Sequence, residues 1–206
     1  MDIKFYKLLV LVNALVPLAL VGWDWRRGQL GANPLDFVTR TTGTLTLVFL
    51  VLTLAVTPLR KWTGAHWLVR LRRMLGLYAF FYGALHLTAY VWFDKWFDLA
   101  SIAQDVTRRW FILVGVLAFA SLVPLAVTST DKMIKRLGGK RWQKLHRLTY
   151  LAAAAGVFHY YLLVKSDVRK PLLFAALVAL LLGYRLFVAY TKRAAPLSLK
   201  TTPPPR

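Results

Sequence analysis

Long apolar runs dominate this chain and restrict its fold more than any other feature. Six segments approach the roughly 20 residues that a helix needs to cross a bilayer. They are Phe5–Val21, Phe37–Thr57, Met74–Trp92, Trp110–Thr128, Leu145–Val164 and Pro171–Tyr190. In hydrocarbon a backbone must satisfy its own hydrogen bonds, so each run is expected to be helical. The expected fold is therefore all-α, an integral membrane bundle of six transmembrane helices over residues 1–192. A basic, Pro-rich tail, 193–206, is expected to be disordered. At 58% hydrophobic residues, a soluble domain of this length would have too little polar surface to cover itself. The first run contains Pro17 and leads into Trp23 and Asp24 rather than a small-x-small site, so it reads as a spanning helix and not a cleaved leader.

The net charge of +20 would suit nucleic acid if it were spread over one surface. Instead the basic residues cluster between the apolar runs, which is the positive-inside pattern. Arg60, Lys61, Arg70, Arg72 and Arg73 lie between runs two and three with no acid among them. Lys132, Lys135, Arg136, Lys140, Arg141 and Lys144 lie between runs four and five against Asp131 alone. The alternate connections are nearly balanced. Both termini should therefore be cytoplasmic, with runs three and five passing from inside to outside. Tryptophans near the run ends, such as Trp62, Trp92 and Trp110, fit interfacial belts. The absence of cysteine excludes disulfides, thiolate zinc sites and thiolate iron–sulfur clusters.

Four histidines occur, and His66 lies in a basic loop beside Trp67, where a solvated interfacial role suffices. His86 and His159 sit inside apolar runs, where an ionisable side chain is expensive and marks a functional position by default. At about 1.5 Å per residue, His86 lies about 20 Å beyond Arg73 and His159 about 20 Å beyond His146, so the two fall at similar depth. Two imidazoles at one level on two helices are what bis-histidine haem ligation requires. Gly76, Ala79 and Gly83 on run three, and Ala152, Ala155 and Gly156 on run five, would leave room for a flat ring. The same small residues would also allow close helix packing. A polar helix contact, a proton relay or another metal therefore remain alternatives, zinc least of them because no third ligand is evident. His146 is offset from His159 by about 220° around an ideal helix, so it is open to haem, flavin, quinone or simple capping roles. Arg40, about 30 Å from Arg60, suits a haem propionate or a snorkelling position. Arg72, Arg73, Arg141 and Arg147 form an inner basic collar in which a flavin phosphate would find partners.

Three stretches then carry a resemblance: NPLDFVTRTTGTLTLVFLVLTLAVTPLRK (33–61), RRMLGLYAFFYGALHLTAYVW (72–92) and WQKLHRLTYLAAAAGVFHYYLLVKSD (142–167). Together they resemble the MsrQ (YedZ) family, the haem-bearing membrane subunits of a bacterial protein-methionine-sulfoxide reductase system, within the wider ferric reductase-like transmembrane group. The resemblance implies haem b and FMN, and an electron donor in the quinone pool or a cytosolic flavin reductase. It implies delivery to a periplasmic molybdopterin subunit, MsrP-like, across the bacterial inner membrane. By position it makes His86 and His159 the haem iron ligands and His146 the third family histidine. The wider group commonly uses four ligands for two haems, and Arg72 stands where an inner ligand on run three would be. The last run ends near Tyr190 and no G-x-G-x-x-G motif occurs, so the chain is expected to be a non-catalytic electron-transfer subunit served by a separate donor.

Overall fold

The computed structural model describes residues 2–194, and among them the structure is helical with no strand. Nine α-helices follow in chain order: α1 Ile3–Arg26, α2 Pro34–Thr63, α3 Val69–Thr88, α4 Leu99–Arg108, α5 Trp110–Val127, α6 Asp131–Leu137, α7 Gly139–Leu145, α8 Leu148–Leu163 and α9 Arg169–Ala194. Five helical stretches are long and apolar enough to cross a bilayer: α1, α2, α3 with its flanking turns (His66–Asp94), α5 and α9. The fifth expected run is present as α8, but it is shorter than Leu145–Val164, with 16 residues. Leu145 ends α7 instead, and the chain turns at His146 and Arg147 before α8 begins. The final helix runs past Tyr190 to Ala194, and the rest of the expected tail lies outside the described residues.

Helix α2 is the hub, packing on α3, α8 and α9, while α5 pairs with α8. Its start is set by Asn33, whose side chain accepts from the Asp36 amide, with Pro34 at the first helical position. Its end is set by Gly64 in the left-handed region at φ 69°. Threonine-rich sequence is a poor helix former in water, yet here the hydroxyls turn back on their own helix. Thr42, Thr46 and Thr53 donate to the carbonyls of Val38, Thr42 and Phe49, which removes exposed donors from the apolar interior. The fully buried centre is Leu54, Ala79, Tyr82 and Ala153. Helix α1 is peripheral. Ala14 is its one buried residue, and the Tyr82 hydroxyl anchors it by donating to the Ala14 carbonyl. Outward faces carry exposed Leu, Val and Phe throughout, as expected of surfaces solvated by lipid.

The connection between α3 and α5 is more than the loop its composition suggests. Helix α3 widens into a π-helical turn, Ala89–Asp94, and then reverses through Trp96 and Phe97, both at positive φ. Asp98 caps α4 by accepting from the amides of Ala100 and Ser101. Asp105 is 7% exposed. It accepts from Lys95 Nζ at 2.6 Å, from the Tyr90 hydroxyl at 2.9 Å and from Arg109 Nε at 3.2 Å. This network ties α4 to the end of α3 and the start of α5. The hydrogen bond from Lys95 in particular holds the Asp105 carboxyl below its ordinary range. A carboxylate with a lowered folded-state pKa stabilises above its unfolded pKa, and that stability is lost as pH falls through the folded value. The detergent-solubilised protein should therefore lose thermal stability below about pH 4. Asp105→Asn should melt earlier than wild type at pH 7 and show a shallower acid dependence. Identical melting of the two at pH 7 would dismiss the network as a stabilising feature.

Candidate functional site

His86 reaches inward from α3 and His159 from α8, and they meet, with ring centroids 6.1 Å apart and planes at 81°. The two positions are 73 residues apart in sequence yet sit at one level, as the rise per residue predicts. Each Nδ1 contacts a main-chain carbonyl, His86 that of Thr39 at 2.9 Å and His159 that of Phe111 at 2.6 Å. A carbonyl only accepts, so each Nδ1 donates, and in the neutral ring Nε2 keeps its lone pair. Neutral imidazole in this tautomer is the metal-ligating form.

The spacing separates two chemical possibilities. A direct hydrogen bond between imidazoles would bring the centroids to about 5 Å, given a donor–acceptor distance of about 2.9 Å. An imidazole–metal bond is about 2 Å and the centroid lies about 1 Å behind the bonding nitrogen, so a metal held between two rings sets the centroids about 6 Å apart. The observed 6.1 Å, an edge-to-face approach, is too long for the first case and leaves room for the second, and among the described residues no hydrogen bond joins the rings. Both histidines line a cavity of about 880 Å³ between α2, α3, α5 and α8, within the range of cofactor sites. Its walls are mostly apolar, with Leu47, Leu50, Phe119 and Leu122 among them, and its charged rim combines Arg40, Arg109 and Lys170 with Asp36 and Asp94. The residues present thus fit an iron porphyrin: two imidazoles meeting in one cavity, apolar walls, and cations among its charged lining.

The small residues divide differently from the sequence expectation. Gly83, Ala152 and Gly156 line the cavity. Gly76 and Ala79 do not; a Cβ at Gly76 would meet only Thr53 Cγ2, at 3.9 Å. Ala155 lies on the opposite side of α8, in a groove with Leu117, Ala154 and Phe158. Helical spacing from the histidine cannot tell these faces apart once α3 and α8 each touch more than one neighbour. Two glycines outside the sequence expectation, Gly43 and Gly115, stand closest to the imidazoles.

The remaining candidates lie apart. Arg40 is exposed at the rim and its Nε is held by both oxygens of Asp36, at 2.8 and 2.7 Å. His66 is exposed at the start of a short 3₁₀ turn. His146 sits in the turn before α8, stacked on Trp142 with centroids 3.8 Å apart. Thr128 spends its proton on the Pro124 carbonyl, so its hydroxyl oxygen accepts from His146 Nε2 at 3.2 Å. Burial, followed by the charges of Arg72 and Arg73, pushes the His146 pKa down to about 4, so this imidazole is neutral at pH 7. Arg73 pairs with Asp131 at 2.7 Å, and Arg147 is exposed. Sequence reasoning passed over Arg185 of α9, which reaches the Leu54 carbonyl of α2 at 2.7 Å and lies over the Tyr150 ring. An arginine inside the last apolar run was itself the available signal.

Residues 42–157 match the family model described as ferric reductase like transmembrane component. Several curated proteins are similar over nearly the full length, each named protein-methionine-sulfoxide reductase heme-binding subunit MsrQ. That of Herminiimonas arsenicoxydans is 50% identical over 195 residues, covering 94% of this chain and 89% of that protein. That of Ralstonia nicotianae is 48% identical over 188 residues, covering 90% and 87%. That of Rhodospirillum rubrum is 49% identical over 187 residues, covering 91% and 90%.

Proposed function

The chain belongs to the MsrQ family, within the ferric reductase-like transmembrane group, and from that premise we propose that it carries electrons across the bacterial inner membrane through haem b held by His86 and His159. The observation that carries the proposal is the 6.1 Å separation of the two rings at the wall of a cofactor-sized cavity. When bound, the haem would supply the one-electron redox couple. The chain's own residues do the rest. His86 and His159 would hold the iron through Nε2, and a site that engages both imidazoles would favour electron transfer over oxygen activation. The apolar walls exclude water. Arg40, joined by Arg109 and Lys170, offers cations for propionates at the rim.

In this proposal residues 1–192 form one unit of six spans, α8 being the fifth, with both termini cytoplasmic as the loop charges dictate. The cavity rim then faces the periplasm, toward a methionine sulfoxide reductase catalytic subunit of the MsrP type. The donor side is the inner basic collar. Electrons arrive there from quinol or a cytosolic flavin reductase, and Arg72 and Arg147, with His146 neutral beside them, would receive the phosphate of FMN. Reconstitution tests the direction of flow. Proteoliposomes holding a flavin reductase and NADPH inside should reduce an MsrP-type enzyme added outside, at a rate dependent on this chain. Equal rates with empty liposomes would reject the relay. His66→Ala should leave the visible spectrum of the purified protein unchanged, because that side chain is exposed and remote from the cavity; loss of the bands in this variant would show that the ligand assignment is misplaced.

A further inference from the structure

The two histidines are held in the same way by two different helices, although nothing in the sequence relates the holders. His86 lies across α2, with Nδ1 on the Thr39 carbonyl, and a Cβ added at Gly43 would stand 3.0 Å from that nitrogen and 3.1 Å from Cε1. His159 lies across α5, with Nδ1 on the Phe111 carbonyl, and a Cβ added at Gly115 would stand 2.8 Å from Nδ1 and 2.9 Å from Cε1. Thr39 precedes Gly43 by four residues, and Phe111 precedes Gly115 by four. In an α-helix the carbonyl at one position pairs with the amide four residues on. Each imidazole therefore rests on a glycine and shares the carbonyl that the glycine's own amide uses. The glycines of α3 and α8, the histidines' own helices, have no imidazole against them, Gly156 meeting a Leu47 methyl instead. Gly76 meets only a threonine methyl and Gly83 the ring of Phe119 and the methyl of Thr46. A glycine within a helix is destabilising relative to alanine, so the coincidence of both with the imidazoles calls for a physical reason.

We infer that Gly43 and Gly115 are positioning residues, each opening a seat on a neighbouring helix that fixes the plane and the donor strength of one axial imidazole. The inference rests on the proposal that His86 and His159 ligate haem. The seat acts through Nδ1. A proton shared with a carbonyl fixes the tautomer and makes Nε2 the stronger donor, which favours ferric iron and lowers the reduction potential. Because α2 holds one ring and α5 the other, the 81° between planes is set by two independent contacts rather than by the histidines' own helices. A Cβ at either glycine occupies the ring's place. The ring must lift off the helix, lengthening its bond to the carbonyl and turning its plane. Gly115 should be the more sensitive of the two, since its contact is the closer and its hydrogen bond the shorter.

The test compares Gly43→Ala, Gly115→Ala and the control Gly76→Ala in the purified full chain. Haem per polypeptide, the low-spin ferric electron paramagnetic resonance spectrum and the midpoint potential are measured for each. Gly43→Ala and Gly115→Ala should shift the g values and raise the potential. Haem retention should weaken by about 10–100-fold in Gly115→Ala, the range found for lost outer partners of metal ligands. Gly76→Ala should match wild type in all three. Wild-type g values and potential in Gly43→Ala would overturn the inference, and this variant stands alone as the test if Gly115→Ala does not fold. The same shifts in Gly76→Ala would also overturn it, by showing a general effect of helix change. A wild-type protein without haem bands would instead defeat the ligand assignment beneath it.

Discussion

His86→Ala and His159→Ala are each expected to empty the purified protein of haem. Even the hydrogen-bonding partner of a metal ligand typically contributes 10–100-fold in affinity, so removal of a ligand should weaken retention by at least about 100-fold. Neither loss can be made good locally. His146, the nearest alternative by sequence, has its Nε2 on Thr128 and its ring stacked on Trp142, and it does not line the cavity. The two variants should also resemble each other, because the proposed site would need both imidazoles. Full haem content with unshifted bands in both variants would remove His86 and His159 from the site.

Arg185→Met should destabilise the bundle, and Pro58→Ala should restore much of the loss. Pro58 lies four residues after Leu54 within α2 and has no amide hydrogen. The Leu54 carbonyl therefore lacks its helical donor at a residue that is 0% exposed. Arg185 supplies the missing donor from α9, with Nη2 at 2.7 Å from that carbonyl and 3.3 Å from Thr57 Oγ1. Leaving a buried acceptor unpaired costs about 1–3 kcal/mol, and no water is present in lipid to replace the lost partner. Pro58→Ala returns an amide to position 58, so in that background the arginine is no longer needed for the carbonyl. A thermal-unfolding cycle of the two single variants and the double variant isolates the coupling. Additive losses, with no rescue in the double variant, would show that Arg185 has some other role.

Much of the bundle and the central pair of histidines was legible in the sequence because both depend on simple periodic geometry. Length and apolarity mark a span, and the rise per residue sets the depth of His86 and His159. The seats were not legible. Thr39 lies 47 residues from His86, and Phe111 lies 48 from His159, and the match of carbonyl to imidazole follows from how α2 and α5 pack, which no local spacing encodes. Choosing small residues on the histidines' own helices selected Gly76, Ala79 and Ala155, which face other neighbours. The glycines closest to the imidazoles lie on the helices opposite. Helix α4 was hidden for another reason: 10 residues carrying Asp105 and Arg108 look like a polar loop until Asp105 is seen to be buried by Lys95, Tyr90 and Arg109. Arg185 and Pro58 were each readable as unfavourable in an apolar helix. Only the packing of α9 on α2 shows that one offsets the other.

The most direct measurement is the reduced-minus-oxidised visible spectrum of the purified wild-type chain, with haem quantified per polypeptide. Ligation by the imidazoles of His86 and His159 predicts the sharp bands of a six-coordinate, low-spin b-type haem in both oxidation states. A colourless protein, or a spectrum only of five-coordinate high-spin iron, would contradict it.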